Sequence, residues 1–203
     1  MFDTVILLGG PAEQTALPQA LLAHNPRLAV ESVATADGLA TLAPELLGAA
    51  RLVAFCTDVI VPAPVLDRLG YGAYNFHPGS PLFPGFRPAH FALQAGVTEF
   101  GANAHRMIEE VDAGPIVGVE MFAVPPDADV VALETMAYSQ LAKLFWQLAL
   151  PLATEAAPLP ELPIRWSGKK GTRRRLAAMG AIEEALIGKH RPLLAAGLRT
   201  SGG

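Results

Sequence analysis

A chain of 203 residues suits a single domain, and a hydrophobic content of 51% is ample for a sizeable core. A net charge of −4 gives no reason to expect nucleic-acid binding, and a single cysteine, Cys56, excludes an intramolecular disulfide and fits a reducing compartment. The opening residues lack the basic region of a signal peptide, and the apolar stretch around 144–153 is broken by Gln147 and Pro151, so no membrane span is expected and the chain reads as cytoplasmic.

In chain order, 5–8 reads as a buried strand stopped by Gly9-Gly10-Pro11, and 12–24 as a helix. A second strand is expected over 28–34 and a helix over 39–47, with Asp37 as its N-cap. The third strand is 52–56, in which Cys56 reads as a small buried apolar residue at the end. A short helix over 64–69 opens near a proline, and the fourth strand runs over 72–77. Beyond a loop rich in Pro and Gly come a helix at 88–95 and two strands, 101–107 and 115–124. The tight reversal between those strands predicts antiparallel pairing. A long helix over 129–150 follows, with apolar residues at Val130, Leu133, Met136, Ala137, Leu141, Leu144 and Leu148.

Strands alternating with helices at this spacing predict an α/β, Rossmann-like fold: a mostly parallel sheet with helices on both faces and an antiparallel strand pair near the active site. The expected division is a catalytic domain over 1–155, then a Pro-rich linker and basic C-terminal extension over 156–203. In that extension Trp166-Ser167-Gly168-Lys169-Lys170 has two open readings: a clamp for an anion, and a solvated or oligomer-covering segment.

The chemistry gathers around Asn75 and His77. Two apart on a strand, they project from one face at its carboxyl end, the end where open α/β sheets bind ligands. Downstream stand His105, on a later strand, and Asp112, in the reversal Val111-Asp112-Ala113-Gly114-Pro115. An amide, an imidazole and a carboxylate together are the groups that acyl transfer to an amine requires: donors for a developing oxyanion, and a base for the amine proton.

Four blocks in this order, Asn75-Phe76-His77-Pro78, the loop 79–88, Gly101-Ala102-Asn103-Ala104-His105 and Asp112-Ala113-Gly114, resemble the folate-dependent formyltransferases. That group includes the glycinamide ribonucleotide and methionyl-tRNA formyltransferases. The resemblance covers roughly 52–153. It implies a formyl group passing from 10-formyltetrahydrofolate to an amine of a small-molecule acceptor, with Asn75, His77 and Asp112 catalytic and no metal at the site. It maps the folate pocket to Asp58, Val59, Ile60 and Val61, and to Ile108, Glu109, Glu110 and Val111. Under it, Arg87, His90 and His105 are candidates to meet the acceptor, and His105 is also a candidate to support Asp112 by a hydrogen bond.

Departures from the family pattern concern the acceptor. The proline spacing of the loop after Pro78 differs from the usual one, and Asn103 stands where the family often has Thr. The turn after the first strand, Gly9-Gly10-Pro11-Ala12-Glu13, holds no Ser, Thr or Lys to cradle a phosphate. Two other activities remain open: hydrolysis of 10-formyltetrahydrofolate to formate, and non-catalytic folate binding. A homo-oligomer is also open.

Overall fold

The computed structural model describes residues 2–180; positions 181–203, the end of the expected extension, lie outside them. The described residues form a six-stranded sheet of order β2-β1-β3-β4-β5-β6. These are β1 (Thr4–Leu8), β2 (Ala29–Val33), β3 (Ala50–Phe55), β4 (Ala73–His77), β5 (Glu99–Arg106) and β6 (Ile116–Ala123). The first four pair in parallel, whereas β5 runs antiparallel to both β4 and β6; the reversal at 107–115 predicts the second of these pairings, and the first is an addition. The fold is the expected Rossmann-like one.

Burial on both faces explains the unbroken apolar runs of β1 and β3. Val5 and Leu7 face one side, where α1 (Pro11–His24) and α6 (Val130–Thr154) supply Leu17, Leu21, Leu141 and Phe145. Ile6 and Leu8 face the other side, towards α2 (Ala36–Ala40), α3 (Pro44–Ala49) and α4 (Ala63–Leu66), with Leu39, Leu47 and Val61. The same alternation in β4 sends Tyr74 and Phe76 into the first layer and Ala73 into the second. Asn75 and His77 share the parity of Ala73, so they emerge on the side covered only by short helices. That side has room for a cleft. The fifth helix, α5 (Pro88–Gln94), closes the sheet's far end with Phe91 and Ala92 against Phe83 and Phe100.

Three element expectations need correction. The helix expected over 39–47 is two pieces, because Pro44 begins a new helix at its first turn; the cap is Thr35, not Asp37, with Thr35 Oγ1 accepting from the Gly38 N–H at 3.0 Å. The last helix, capped by Asp129, runs through Pro151 to Thr154 rather than stopping at 150. Its final turn is held by Arg51, fully buried under the sheet, whose guanidinium donates to the carbonyls of Pro151 (3.1 Å) and Leu152 (3.0 Å). Finally, β3 ends at Phe55; Cys56 has φ 46° and is exposed on the cleft wall instead of buried. No described helix is long and apolar enough to cross a membrane.

Candidate active site

The antiparallel register of β4 and β5 sets Asn75 opposite His105 and His77 opposite Asn103. Asn103, fully buried, donates its side-chain N–H to the Gly79 carbonyl at 2.7 Å and so fixes the turn that follows His77. Asp112 comes from the reversal after β5, with its backbone in the left-handed region at φ 49°. Four candidate residues therefore meet. Asp112 Oδ1 lies 3.4 Å from Asn75 Nδ2 and 3.2 Å from His105 Nε2, and Asp112 Oδ2 lies 3.5 Å from His77 Nδ1. His105 takes the supporting place behind the carboxylate, with Nδ1 3.2 Å from the Arg106 carbonyl.

Two groups from the 79–88 loop complete the cluster. The Gly85 N–H donates to Asp112 Oδ2 at 2.7 Å, and the Phe83 carbonyl stands 3.1 Å from His77 Nε2. Residue types at these positions carry no sign of the roles, because both act through backbone atoms.

The electrostatics follow from burial. Asp112 is 6% exposed; dehydration alone would raise its carboxyl. His77, His105 and the Gly85 N–H outweigh that and hold it below the usual carboxylate range, so it is anionic. For His77 burial wins. Dehydration, with the neighbouring His105, lowers its pKa more than Asp112 and the Phe83 carbonyl raise it. Burial therefore favours the neutral imidazole, and the Asp112 carboxylate beside it favours the charged one.

The cluster opens onto a cleft of about 1060 Å³. One arm of its lining comprises Asp58, Val59, Ile60 and Val61 together with Ile108, Glu109, Glu110 and Val111, so all eight folate candidates reach the cleft. Ile60, Ile108 and Val111 are 59%, 42% and 39% exposed. Large aliphatic groups left in water along a cleft suit an apolar, ring-bearing ligand. The other arm runs between the turn after β1 and α6, past Gly10, Glu134 and Tyr138. Tyr138 donates its hydroxyl to Glu13, and that carboxylate occupies the turn where a phosphate cradle is lacking. Cys56 sits between the arms. Dehydration of the thiol, with Glu13, Asp58 and Glu134 nearby, pushes it up to about 11, which leaves it protonated and a poor nucleophile.

Arg87 lines the cleft and pairs with Glu134 at 3.3 Å. His90, on α5, stands off the cleft wall, with Nδ1 3.9 Å from Glu134 and no hydrogen-bond partner. Three residues outside the expected catalytic and pocket set also belong to the rim or its support: Arg173, and, from the segment read as a possible anion clamp, Lys170 on the rim and Trp166 behind the cluster.

A mostly parallel α/β sheet with an amide, an imidazole and an anionic carboxylate converging at the carboxyl end of β4 defines an acyl-transfer type of site. The chain belongs to the formyl transferase family, whose model matches residues 10–147. A methionyl-tRNA formyltransferase of Bdellovibrio bacteriovorus is 31% identical over 119 residues, covering 51% of this chain and 37% of that protein. The chain thus spans little more than a third of that relative's length. Among solved structures, a sugar N-formyltransferase from a Shewanella species superposes with a TM-score of 0.69 at 15% identity, covering 88% of this chain and 79% of that one. A formyltransferase from Anoxybacillus kamchatkensis, solved with tetrahydrofolate and a UDP-linked formamido sugar, gives 0.69 at 17% identity, covering 85% and 87%. The enzyme of Helicobacter canadensis, solved with folinic acid and dTDP-3-aminofucose, gives 0.63 at 14% identity, covering 86% and 72%.

Proposed function

We propose that this chain catalyses transfer of a formyl group from 10-formyltetrahydrofolate to the amine of a small-molecule acceptor in the cytoplasm. The observation that carries the reading is the convergence of Asn75, His77 and an anionic Asp112 on the wall of a cleft whose adjoining arm suits an apolar, ring-bearing ligand.

The donor supplies an activated formyl carbon on a nitrogen able to leave as an amine. The residues do the rest. Asn75 and His77 project from one strand face; Asn75 gives an N–H to the formyl oxygen as it gains negative charge, and His77 adds one by exchanging its present contact with the Phe83 carbonyl or Asp112 for that oxygen. A neutral imidazole becomes a stronger donor as that charge grows, because an anion beside it favours its protonated form. Asp112, fixed by the Gly85 N–H, takes the proton that the attacking amine must lose, directly or through a water, and returns it to the folate nitrogen that leaves. A new C–N bond to the acceptor forms and the C–N bond to folate breaks. The products are an N-formyl acceptor and tetrahydrofolate.

For the acceptor, Arg87, Lys170 and Arg173 bring positive charge to the rim, which suits an anionic group. A sugar nucleotide fits that chemistry, and the relatives from H. canadensis and A. kamchatkensis were solved with such molecules. Elsewhere on the lining Glu134 favours hydroxyl and amine groups. The test is calorimetric binding of a stable 10-formyltetrahydrofolate analogue, followed by turnover of the natural donor with UDP- and dTDP-linked amino sugars. Micromolar analogue binding and an N-formyl product support the reading. Formate release without an acceptor replaces it with hydrolysis, and no analogue binding overturns the folate site.

A further inference from the structure

One short segment, 165–171, touches both walls of the acid and imidazole cluster. The Trp166 indole N–H donates to the Gly114 carbonyl at 2.7 Å, two residues past Asp112. Its ring stands edge-on to His105 and His77, with centroids 5.0 and 5.8 Å away. The Ser167 N–H donates to the Pro81 carbonyl at 2.9 Å, and Gly168, at φ 75°, lies flat against the Leu82 carbonyl. The Gly171 N–H donates to the Pro84 carbonyl at 2.7 Å, and its own carbonyl accepts from the Phe86 N–H at 3.0 Å. What these contacts hold is the stretch 81–86, the source of the Phe83 carbonyl at His77 and of the Gly85 N–H at Asp112.

The cluster needs such support. Asp112 is held in the left-handed region, which Asp tolerates better than most residues but at a cost that its surroundings must offset. Its carboxylate is aimed by a loop amide, and the loop itself bonds back to the segment at 165–171 at three points. We propose that this strap, with Trp166 at its centre, positions Asp112, His77 and His105 for proton movement, an inference that rests on the formyl-transfer reading above.

Trp166 touches no reacting atom and is a positioning residue. Its N–H fixes the turn that carries Asp112, and its ring edge sets the planes of both imidazoles and excludes water from that side. The loop contacts set the Gly85 N–H, which occupies Asp112 Oδ2 and leaves Oδ1 to Asn75 and His105. The strap thereby joins the functional unit, although the sequence placed it in an extension.

The test uses the full chain with 15N-labelled histidine and backbone, as wild type, Trp166→Phe, Trp166→Ala and Gly168→Ala. The last variant lies outside the cluster; its Cβ would run into the Leu82 carbonyl at a positive φ. Ring 15N shifts report which nitrogen of His77 and His105 carries hydrogen, and amide exchange reports the Gly85 bond. Trp166→Ala and Gly168→Ala are expected to move both ring signals and to speed Gly85 exchange about tenfold or more, the sign of a lost local restraint. Trp166→Phe, which keeps a ring edge and loses the N–H, is expected to fall between. In turnover, kcat falls on the order of 100-fold with KM for the donor nearly unchanged, as for a group displaced by about 1 Å. Unshifted ring signals with unchanged Gly85 exchange in any two folded variants overturn the proposal. Should Trp166→Ala fail to fold, Trp166→Phe and Gly168→Ala decide the question by the same two signals. Failure of the wild type to bind the folate analogue would remove the formyl-transfer reading instead, and the ring and amide signals would still decide whether the strap positions the cluster.

Discussion

Asn75 on β4 lies directly across the antiparallel ladder from His105 on β5, and the Asn75 Nδ2 atom stands 3.2 Å from His105 Nε2. The pairing places the amide beside Asp112 as well, and Asn75 Nδ2 donates to Asp112 Oδ1 at 3.4 Å, so one N–H is held by the carboxylate before any ligand arrives and the other is left for the formyl oxygen. A donor held in advance needs no reorganisation when the formyl oxygen gains charge. Asn75→Ala is therefore expected to lower kcat by roughly a hundred- to a thousandfold. Affinity for a folate analogue should change little, because the heterocycle arm is built from other residues. Turnover and calorimetry on the same preparation check this; a kcat within tenfold of wild type would remove Asn75 from the oxyanion role.

Asp112→Asn removes the base and also a pH-dependent part of stability. The Asp112 carboxyl is held below the ordinary range in the folded chain, whereas in the unfolded chain it titrates near about 3.9. Its contribution is present in full above the unfolded value and is lost as pH falls through the folded one. Urea unfolding of wild type and Asp112→Asn should differ most at neutral pH, and the gap should narrow below about pH 4. His77 acts in the same sense: with its pKa lowered by burial, it is expected to be neutral at pH 7 and to protonate below about 6.5. Imidazole NMR checks that directly. In Asp112→Asn its protonation should move to still lower pH, because the anion that raised it is gone. Loss of the base is expected to cost about a hundred- to ten-thousandfold in kcat.

How much of this was legible in the sequence depended on where each partner lies. Asn75 and His77 could be placed on one face because a strand repeats every two residues, and Asp112 because its reversal is short and ends in Gly-Pro. The eight heterocycle candidates followed from resemblance and all reach the cleft. The observed contacts of Arg51 and Trp166 were not legible, for one physical reason. Each is bonded to main-chain carbonyls far along the chain, Arg51 to Pro151 and Leu152, Trp166 to Gly114, and a carbonyl acceptor carries no residue signature. A lone arginine opening an otherwise apolar strand was the available hint for Arg51. The helix expected over 39–47 is divided by Pro44, whose missing N–H starts a helix more readily than it continues one.

Ile60 tests the heterocycle arm. At 59% exposed it is among the most exposed large aliphatic residues described, and it lines the cleft together with Ile108 and Val111. A ring bound against them would bury it, and burial of an aliphatic side chain stabilises by about 1.5 to 3 kcal/mol when complete. Ile60→Ala should thus weaken analogue binding by roughly tenfold, about 1.4 kcal/mol, with protein stability nearly unchanged because the side chain packs little in the free chain. Calorimetry and urea unfolding separate the two; equal affinity with and without the side chain would move the donor site elsewhere.

Arg51 is expected to matter for stability and not for chemistry. Its guanidinium makes four hydrogen bonds, to the carbonyls of Tyr71, Pro151, Leu152 and Ala157, and lies over the rings of Phe2 and Tyr74. Positive charge at the C-terminal end of α6 also complements the helix dipole. Arg51→Met keeps much of the volume and leaves those carbonyls without a donor, at about 1 to 3 kcal/mol for each that stays buried. A loss of about 3 kcal/mol or more in urea unfolding is expected. A loss below about 1 kcal/mol would mean that water replaces the guanidinium.

Gly114 links the stability of the turn to the geometry of the cluster. A Cβ at this position would run into the Arg106 carbonyl, so an alanine must push the reversal away from the end of β5. The displaced carbonyl is the one that Trp166 bonds, and the displaced turn carries Asp112. Gly114→Ala is therefore expected to cost about 2 kcal/mol by overpacking, a fall in Tm of roughly 5 °C for a chain of this size. It should also change Trp166 fluorescence, because the indole N–H loses its acceptor. Paired measurement of Tm and emission distinguishes this from a remote effect: a lowered Tm with unaltered Trp166 emission would show that the turn yields without disturbing the indole.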